Sequence, residues 1–134
     1  MLHLPLGGKS TSFSWMGNGK FYTLTSATRP SDELLFTRVG ANDPEFNLRR
    51  DAALMIRRKD TRDTVFASVV EAHGSYSPVT ELAVNSNSSI AQLEVVHDDE
   101  DYTVVAIVDL EGDTSLFFVS NRDPSKLTDH KLEI

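Results

Sequence analysis

Ile90-Ala-Gln-Leu-Glu-Val-Val-His97, Tyr102-Thr-Val-Val-Ala-Ile-Val108 and Ser115-Leu-Phe-Phe-Val-Ser120 are three short apolar runs rich in β-branched and aromatic residues. Polar breaks, Asp98-Asp-Glu-Asp101 and Glu111-Gly-Asp113, separate them, and this spacing predicts a three-stranded antiparallel meander. The same texture continues upstream. Ser12-Phe-Ser-Trp-Met16 and Phe21-Tyr-Thr-Leu-Thr25 flank Gly17-Asn-Gly-Lys20, and an Asn-Gly pair marks a tight hairpin because both positions tolerate positive φ. Glu33 to Val39 reads as a further strand, ended by Gly40 and Asn42-Asp-Pro44.

Ala53 to Arg57 and Thr64 to Ala72 read as two more strands, joined by the charged connection Arg58-Lys-Asp-Thr-Arg-Asp63. The second is nearly continuous in apolar residues, as a central strand would be. Tyr76 to Ser89, rich in Ser and Asn, reads as a surface crossing between sheets, and Asp123 to Ile134 is either a last strand or a tail. No window of helical length keeps an apolar 3.6-residue period. The expectation is an all-β fold, an antiparallel β-sandwich of about eight strands spaced roughly ten residues apart.

The chain has 134 residues, 40% of them apolar, enough for one domain with a core of its own over residues 1–134. It has no cysteine, which excludes a disulfide framework and a thiolate metal site. No apolar run has the length of a membrane span, and the first residues lack the pattern of a signal peptide. A formal net charge of -7, with 20 acidic against 13 basic residues, argues against a nucleic-acid surface and against a broad face for any polyanion. Contact with an acidic polymer must be local.

Four histidines, His3, His73, His97 and His130, lie far apart and without metal-ligand spacing, so neither a metal nor another cofactor is expected. His73 sits with Glu71, Gly74 and Tyr76 at a predicted strand end. That cluster is either a proton-transfer group or a turn whose His and Tyr hydrogen-bond the backbone. Arg49, Arg50, Arg57, Arg58, Lys59 and Arg62 are the basic concentration, and a guanidinium is the natural partner of a ligand carboxylate. The simpler account pairs them with the interleaved Asp51, Asp60 and Asp63 at a solvated edge. Trp15 and Phe21 form either a sugar-stacking platform or part of the core.

The run Thr37-Arg-Val-Gly-Ala-Asn-Asp-Pro-Glu-Phe-Asn-Leu-Arg-Arg50, continuing through Ala53-Leu-Met-Ile-Arg57 and Val65-Phe-Ala-Ser-Val-Val-Glu-Ala-His-Gly-Ser-Tyr-Ser-Pro78, resembles the C-terminal part of heparinase II/III-like polysaccharide lyases. Within that group it is most similar to the family 17 oligoalginate lyases, and the likeness extends from about Phe13 to Ser120. The resemblance implies a C-terminal β-sandwich of a larger bacterial lyase, periplasmic or secreted. It also implies that the β-eliminating groups lie upstream, in a helical toroid domain and an adjoining sheet domain. No catalytic role is therefore carried over to Tyr22, Tyr76 or Tyr102. Where the family tends to have proline, this chain has Ala72, which implies a looser strand end before His73.

The function expected is a structural domain that braces the catalytic domains of the same polypeptide and is inert alone. An autonomous carbohydrate-binding module for uronate oligosaccharides is the alternative, and it calls for an exposed aromatic stripe or a basic groove. A third possibility has Arg49, Arg50, His73 or Tyr76 reaching the alginate oligosaccharide in a composite cleft. Phe46 and Leu48 are the expected apolar anchors of the Gly40 to Arg49 loop on the catalytic region.

Overall fold

A computed structural model describes residues 2–5, 8–40, 50–123 and 125, with side chains for 8–40, 51–123 and 125. Phe46, Leu48, Arg49, Pro44 and His130 lie outside the described residues, and Arg50 is described only in its backbone.

The described chain is all-β, with strands β1 (Leu2–Pro5), β2 (Ser10–Gly17), β3 (Lys20–Ala27), β4 (Glu33–Gly40), β5 (Arg50–Arg57), β6 (Ser68–Ser77), β7 (Leu82–Val84), β8 (Ile90–Asp98), β9 (Tyr102–Asp109) and β10 (Thr114–Ser120). Their pairings are antiparallel and make three sheets, ordered β2-β3-β6-β7, β1-β4-β5 and β10-β9-β8. The β2–β3 hairpin turns on Asn18 and Gly19, at φ 52° and 71°, as its Asn-Gly pair predicts. The meander β8-β9-β10 also forms as predicted.

Among the described residues ten strands replace the expected eight, with β1 and β7 added, and the bounds of β6 also differ. β1 lies along β4, with Leu2 opposite Phe36. Tyr76 to Ser89 is not a plain crossing, because β6 turns through Pro78 to Glu81 into the short strand β7. Residues 64–67 do not belong to β6. Thr64 and Val65 serve Arg58 instead, whose Nη1 donates to Thr64 Oγ1 at 2.6 Å and to the Val65 carbonyl at 3.0 Å. β6 therefore starts at Ser68 and runs on to Ser77, which places Ala72 and His73 inside a strand rather than at its end.

Strand register sorts the residues of the four-stranded sheet onto two faces. Phe13, Trp15, Tyr22, Leu24 and Val70 share one, and Phe13 meets Phe36 of β4 there at 5.1 Å between ring centroids. Ser14, Thr23, Thr25, Val69, Glu71 and His73 share the other, which turns toward β8, where Val69 and Leu93 line one groove. The result is a sandwich-like stack in which the four-stranded sheet meets the other sheets on opposite faces.

The core is thin and unusually polar. Its buried apolar side chains are Ala27, Leu34, Leu35, Leu93, Val104 and Ala106, while Thr23, Thr25, Ser26, Thr28, Asp32 and Thr103 are buried beside them. Asp32 and Arg58 hold the corner where β3 leads into β4. Arg58 donates through Nε and Nη2 to the two Asp32 carboxylate oxygens, both at 2.7 Å, and its guanidinium lies 4.8 Å from the Phe66 ring centroid.

Candidate functional site

β6 carries the sequence-predicted cluster. Gly74, at φ 55°, breaks its regular course and brings the chain against Val84 and Asn85, whose carbonyl oxygens would each lie 2.1 Å from a Cβ at this position. Around that contact is an open depression of about 560 Å³ lined by Glu71, His73, Gly74, Asn85, Ser88 and Ser89 among others.

His73 cannot act freely there. Its Nδ1 lies 2.8 Å from the Asn85 carbonyl, an acceptor, so Nδ1 carries the proton and donates. Nε2 lies 2.8 Å from Thr23 Oγ1, which in the neutral imidazole donates to it, and Thr23 Oγ1 is in turn 2.7 Å from Ser14 Oγ. Both ring nitrogens are spent on tying β6 to β3 and to the residue after β7. The backbone-bonding reading of His73 is the one this geometry supports, and the loose strand end implied by Ala72 is replaced by a histidine pinned on both sides.

Glu71 is equally occupied. Its carboxylate accepts from the Ser88 hydroxyl, from the Ser89 hydroxyl at 2.6 Å and from the Ser89 amide at 3.1 Å, closing the entry to β8. Burial pushes its pKa up, but the Ser88 and Ser89 donors and the nearby His73 outweigh that and hold it below the usual value. Tyr76 contributes its amide, which donates to the Gly19 carbonyl at 2.8 Å, and does not line the depression.

The basic concentration disperses on folding. Glu33 opposes Arg57 in the β4–β5 register and accepts from Arg57 and, at 2.7 Å, from Lys59. The Lys59 and Arg57 donors hold the Glu33 carboxyl down to about 2. Arg58 is spent on Asp32, with 4% of its side chain exposed. Among the described residues, the carboxylates that pair with Arg57, Arg58 and Lys59 are therefore Asp32 and Glu33 rather than Asp51, Asp60 and Asp63.

Trp15 and Phe21 fall on opposite sheet faces and build no joint platform. Trp15 stacks on Tyr22 at 5.5 Å and 16° and beside Phe13 at 6.2 Å. Phe21 stacks on His73 instead. His97 and Tyr102 are stacked at 4.3 Å, with His97 Nε2 held by Asp99 at 2.8 Å.

A second concavity was not singled out by sequence. A cleft of about 250 Å³ opens where residues 27–30 pass β8, lined by Lys9, Thr28, Arg29, Arg58, Glu94 and Val95 among others. Lys9 and Arg29 are isolated cations in sequence, and nothing in their spacing announces that the chain brings them to one cleft.

No family model matches the chain. It is 38% identical over 87 residues to an alginate lyase of Stenotrophomonas maltophilia (strain K279a), an alignment covering 65% of this chain and 12% of that protein. It is 28% identical over 131 residues to an exo-oligoalginate lyase of Saccharophagus degradans (strain 2-40), covering 96% of this chain and 18% of that protein. The chain is related in sequence to alginate lyases. It spans less than a fifth of the length of either relative.

Proposed function

We propose that the chain is the C-terminal structural domain of an exo-type oligoalginate lyase of the heparinase II/III-like, family 17 kind, bracing the catalytic domains of its polypeptide and inert alone. β-Elimination at a uronate needs a base for the C5 proton, an acid for the leaving oxygen and neutralisation of the carboxylate. The described residues bring no such set together. His73 has both nitrogens engaged, and Tyr22 and Tyr102 lie within ring stacks.

The observation that carries the reading is the balance of apolar surface. Among the described residues six apolar ones are buried, whereas fifteen large ones are exposed, among them Trp15, Val70 and Val84 about the four-stranded sheet and Leu116, Phe117, Phe118 and Val119 on β10. Apolar surface left over in this way fits contact with a neighbouring domain. Relatives whose greater part lies outside the matched segment supply a candidate for that neighbour.

The alternative, an autonomous carbohydrate-binding module, finds some support in the Phe13-Trp15-Tyr22 row. Trp15 lies parallel to Tyr22 at 5.5 Å, however, so the two rings occupy part of each other's faces, which a sugar would need.

The test uses the full-length parent lyase carrying Val70→Lys or Phe117→Lys. Both should lower the midpoint of thermal inactivation and loosen the domain to proteolysis, while this chain alone forms no unsaturated product from alginate oligomers. Parent variants as stable as wild type, or product from the isolated chain, would overturn the proposal.

A further inference from the structure

The turn from β3 to β4 is clamped on every side. The Thr28 amide donates to the Lys9 carbonyl at 2.8 Å, the Thr28 hydroxyl to the Gly8 carbonyl at 3.0 Å and the Arg29 amide to Asp32 Oδ2 at 2.9 Å. The Asp32 amide returns to the Arg29 carbonyl at 2.9 Å. Arg29 is thus fixed in its backbone, and its guanidinium, near enough to Asp32 to help hold that carboxyl ionised, enters no hydrogen bond or ion pair among the described residues. It stands on the cleft of about 250 Å³.

The other charges of the cleft are spoken for to different degrees. Arg58, 4% exposed, is neutralised by Asp32 beneath the cleft. Lys9 Nζ reaches Glu94 at 2.9 Å, but with 63% and 31% of the two side chains exposed this pair is solvated and exchangeable. The walls include Pro30, Val65 and Val95, apolar surface of the kind that packs on the C–H groups of a sugar ring. A guanidinium with no hydrogen bond among the described residues offers two parallel donors to a carboxylate, and Lys9 adds a second positive charge. The volume falls below the roughly 300–1,000 Å³ of pockets for drug-sized ligands, a scale suited to a single ring.

We infer that this cleft is a socket for one uronate residue, whose carboxylate pairs with Arg29 and Lys9 and whose ring packs on Val65, Val95 and Pro30. The class of ligand rests on the alginate-lyase reading, while the cleft and its exposed Arg29 do not. In a chain of net charge -7, two cations at one cleft give a local grip without a broad basic face. The socket holds part of the polyanion and performs no chemistry. One-ring capacity also separates it from an autonomous binding module, whose affinity would grow with oligomer length.

The experiment is an NMR titration of this chain at low salt with sodium D-mannuronate, an alginate trisaccharide and D-mannose. Mannuronate and the trisaccharide should bind with similar millimolar affinity, shifting the amides of Thr28, Arg29 and Val95, and mannose should not bind. Arg29→Gln should weaken binding about tenfold, the effect of losing a charge-assisted contact, and Lys9→Gln should weaken it further. Both side chains are exposed, so these variants should fold as wild type. The inference is overturned if uronate does not bind, if R29Q binds as wild type, or if affinity climbs steeply with chain length. None of these results touches the thermal and proteolytic behaviour of the parent, on which the bracing role is judged.

Discussion

Asp32→Asn tests whether the corner between β3 and β4 is held by charge. The substitution keeps the shape of the side chain and removes its negative charge. Asp32 is fully buried and Arg58 is 4% exposed, and the wild-type carboxylate receives Arg58 Nε, Arg58 Nη2 and the Arg29 amide. An asparagine offers one oxygen to these donors and turns an NH₂ group toward a buried cation. Breaking a buried pair on one side costs roughly 3–5 kcal/mol. Arg58 would keep Thr64 Oγ1, the Val65 carbonyl and the Phe66 ring, so the lower end, about 3 kcal/mol, is expected. Urea denaturation followed by circular dichroism measures this against a total stability of about 5–15 kcal/mol for an ordinary domain. The pH dependence carries a second signature. The hydrogen bonds from Arg58 hold the Asp32 pKa below its ordinary value against the opposing effect of burial. A depressed folded pKa gives stability that is present above the unfolded value, near 3.9, and lost as pH falls through the folded one. Wild type should therefore lose more stability than D32N between about pH 5 and pH 3, with Glu33 and Glu71 titrating alike in both proteins. A loss below about 1 kcal/mol, or an unchanged acid dependence, would refute the electrostatic account. Replacing both partners, Asp32→Leu with Arg58→Met, should cost less than D32N, because no charge is stranded.

Gly74→Ala should cost at least about 2 kcal/mol, since a left-handed φ of 55° is joined to a Cβ placed 2.1 Å from two backbone oxygens; faster amide exchange in β7 would locate the damage. Thr25→Val should stabilise the chain by about 1 kcal/mol, because the buried Thr25 Oγ1 has no partner among the described residues and valine is nearly isosteric; a destabilised variant in urea would show that the hydroxyl is satisfied after all. His73→Gln should lower stability by about 1 kcal/mol through the lost Thr23 or Asn85 bond, while the parent lyase carrying it keeps its kcat at a temperature where it is folded. A fall in kcat without a fall in stability would return His73 to the chemistry.

What sequence shows of this fold is what its neighbours in sequence decide. The Asn18-Gly19 hairpin and the β8-β9-β10 meander were legible because turn residues and apolar runs alternate within a few positions. β7 was not, since a three-residue strand inside a Ser- and Asn-rich segment is defined by its pairing with Ser75 to Ser77 and by the kink at Gly74. Val65 and Phe66 read as strand because they are apolar. Arg58 instead draws on the Val65 carbonyl and on the Phe66 ring. The same non-locality governs the site. Asp60 and Asp63 are nearer to Arg58 in sequence than Asp32 is, and His73 finds its hydroxyl fifty residues away on β3. Arg29 on the cleft carried no signal, since a lone arginine before a proline is unremarkable.

The physical character of β3 bears on how such a domain would behave in a longer chain. Thr23, Thr25 and Ser26 occupy the interior positions that Val, Ile or Leu would fill in a self-sufficient sheet; Thr23 and Ser26 exchange area-driven burial for directional bonds, Thr23 to Ser14 and His73 and Ser26 to Ser68. Hydrogen bonds of this kind contribute little net free energy, about 1 kcal/mol each, but fix geometry closely. The apolar residues that would stabilise the chain by burial stand on its outside, on β10 and about the Trp15 row. A domain built this way is rigid in shape yet draws much of its stability from whatever covers those faces. On the proposed reading, unfolding of the domain and loss of the lyase's active conformation are then one cooperative event, and substitutions at Val70 or Phe117 should act on both together.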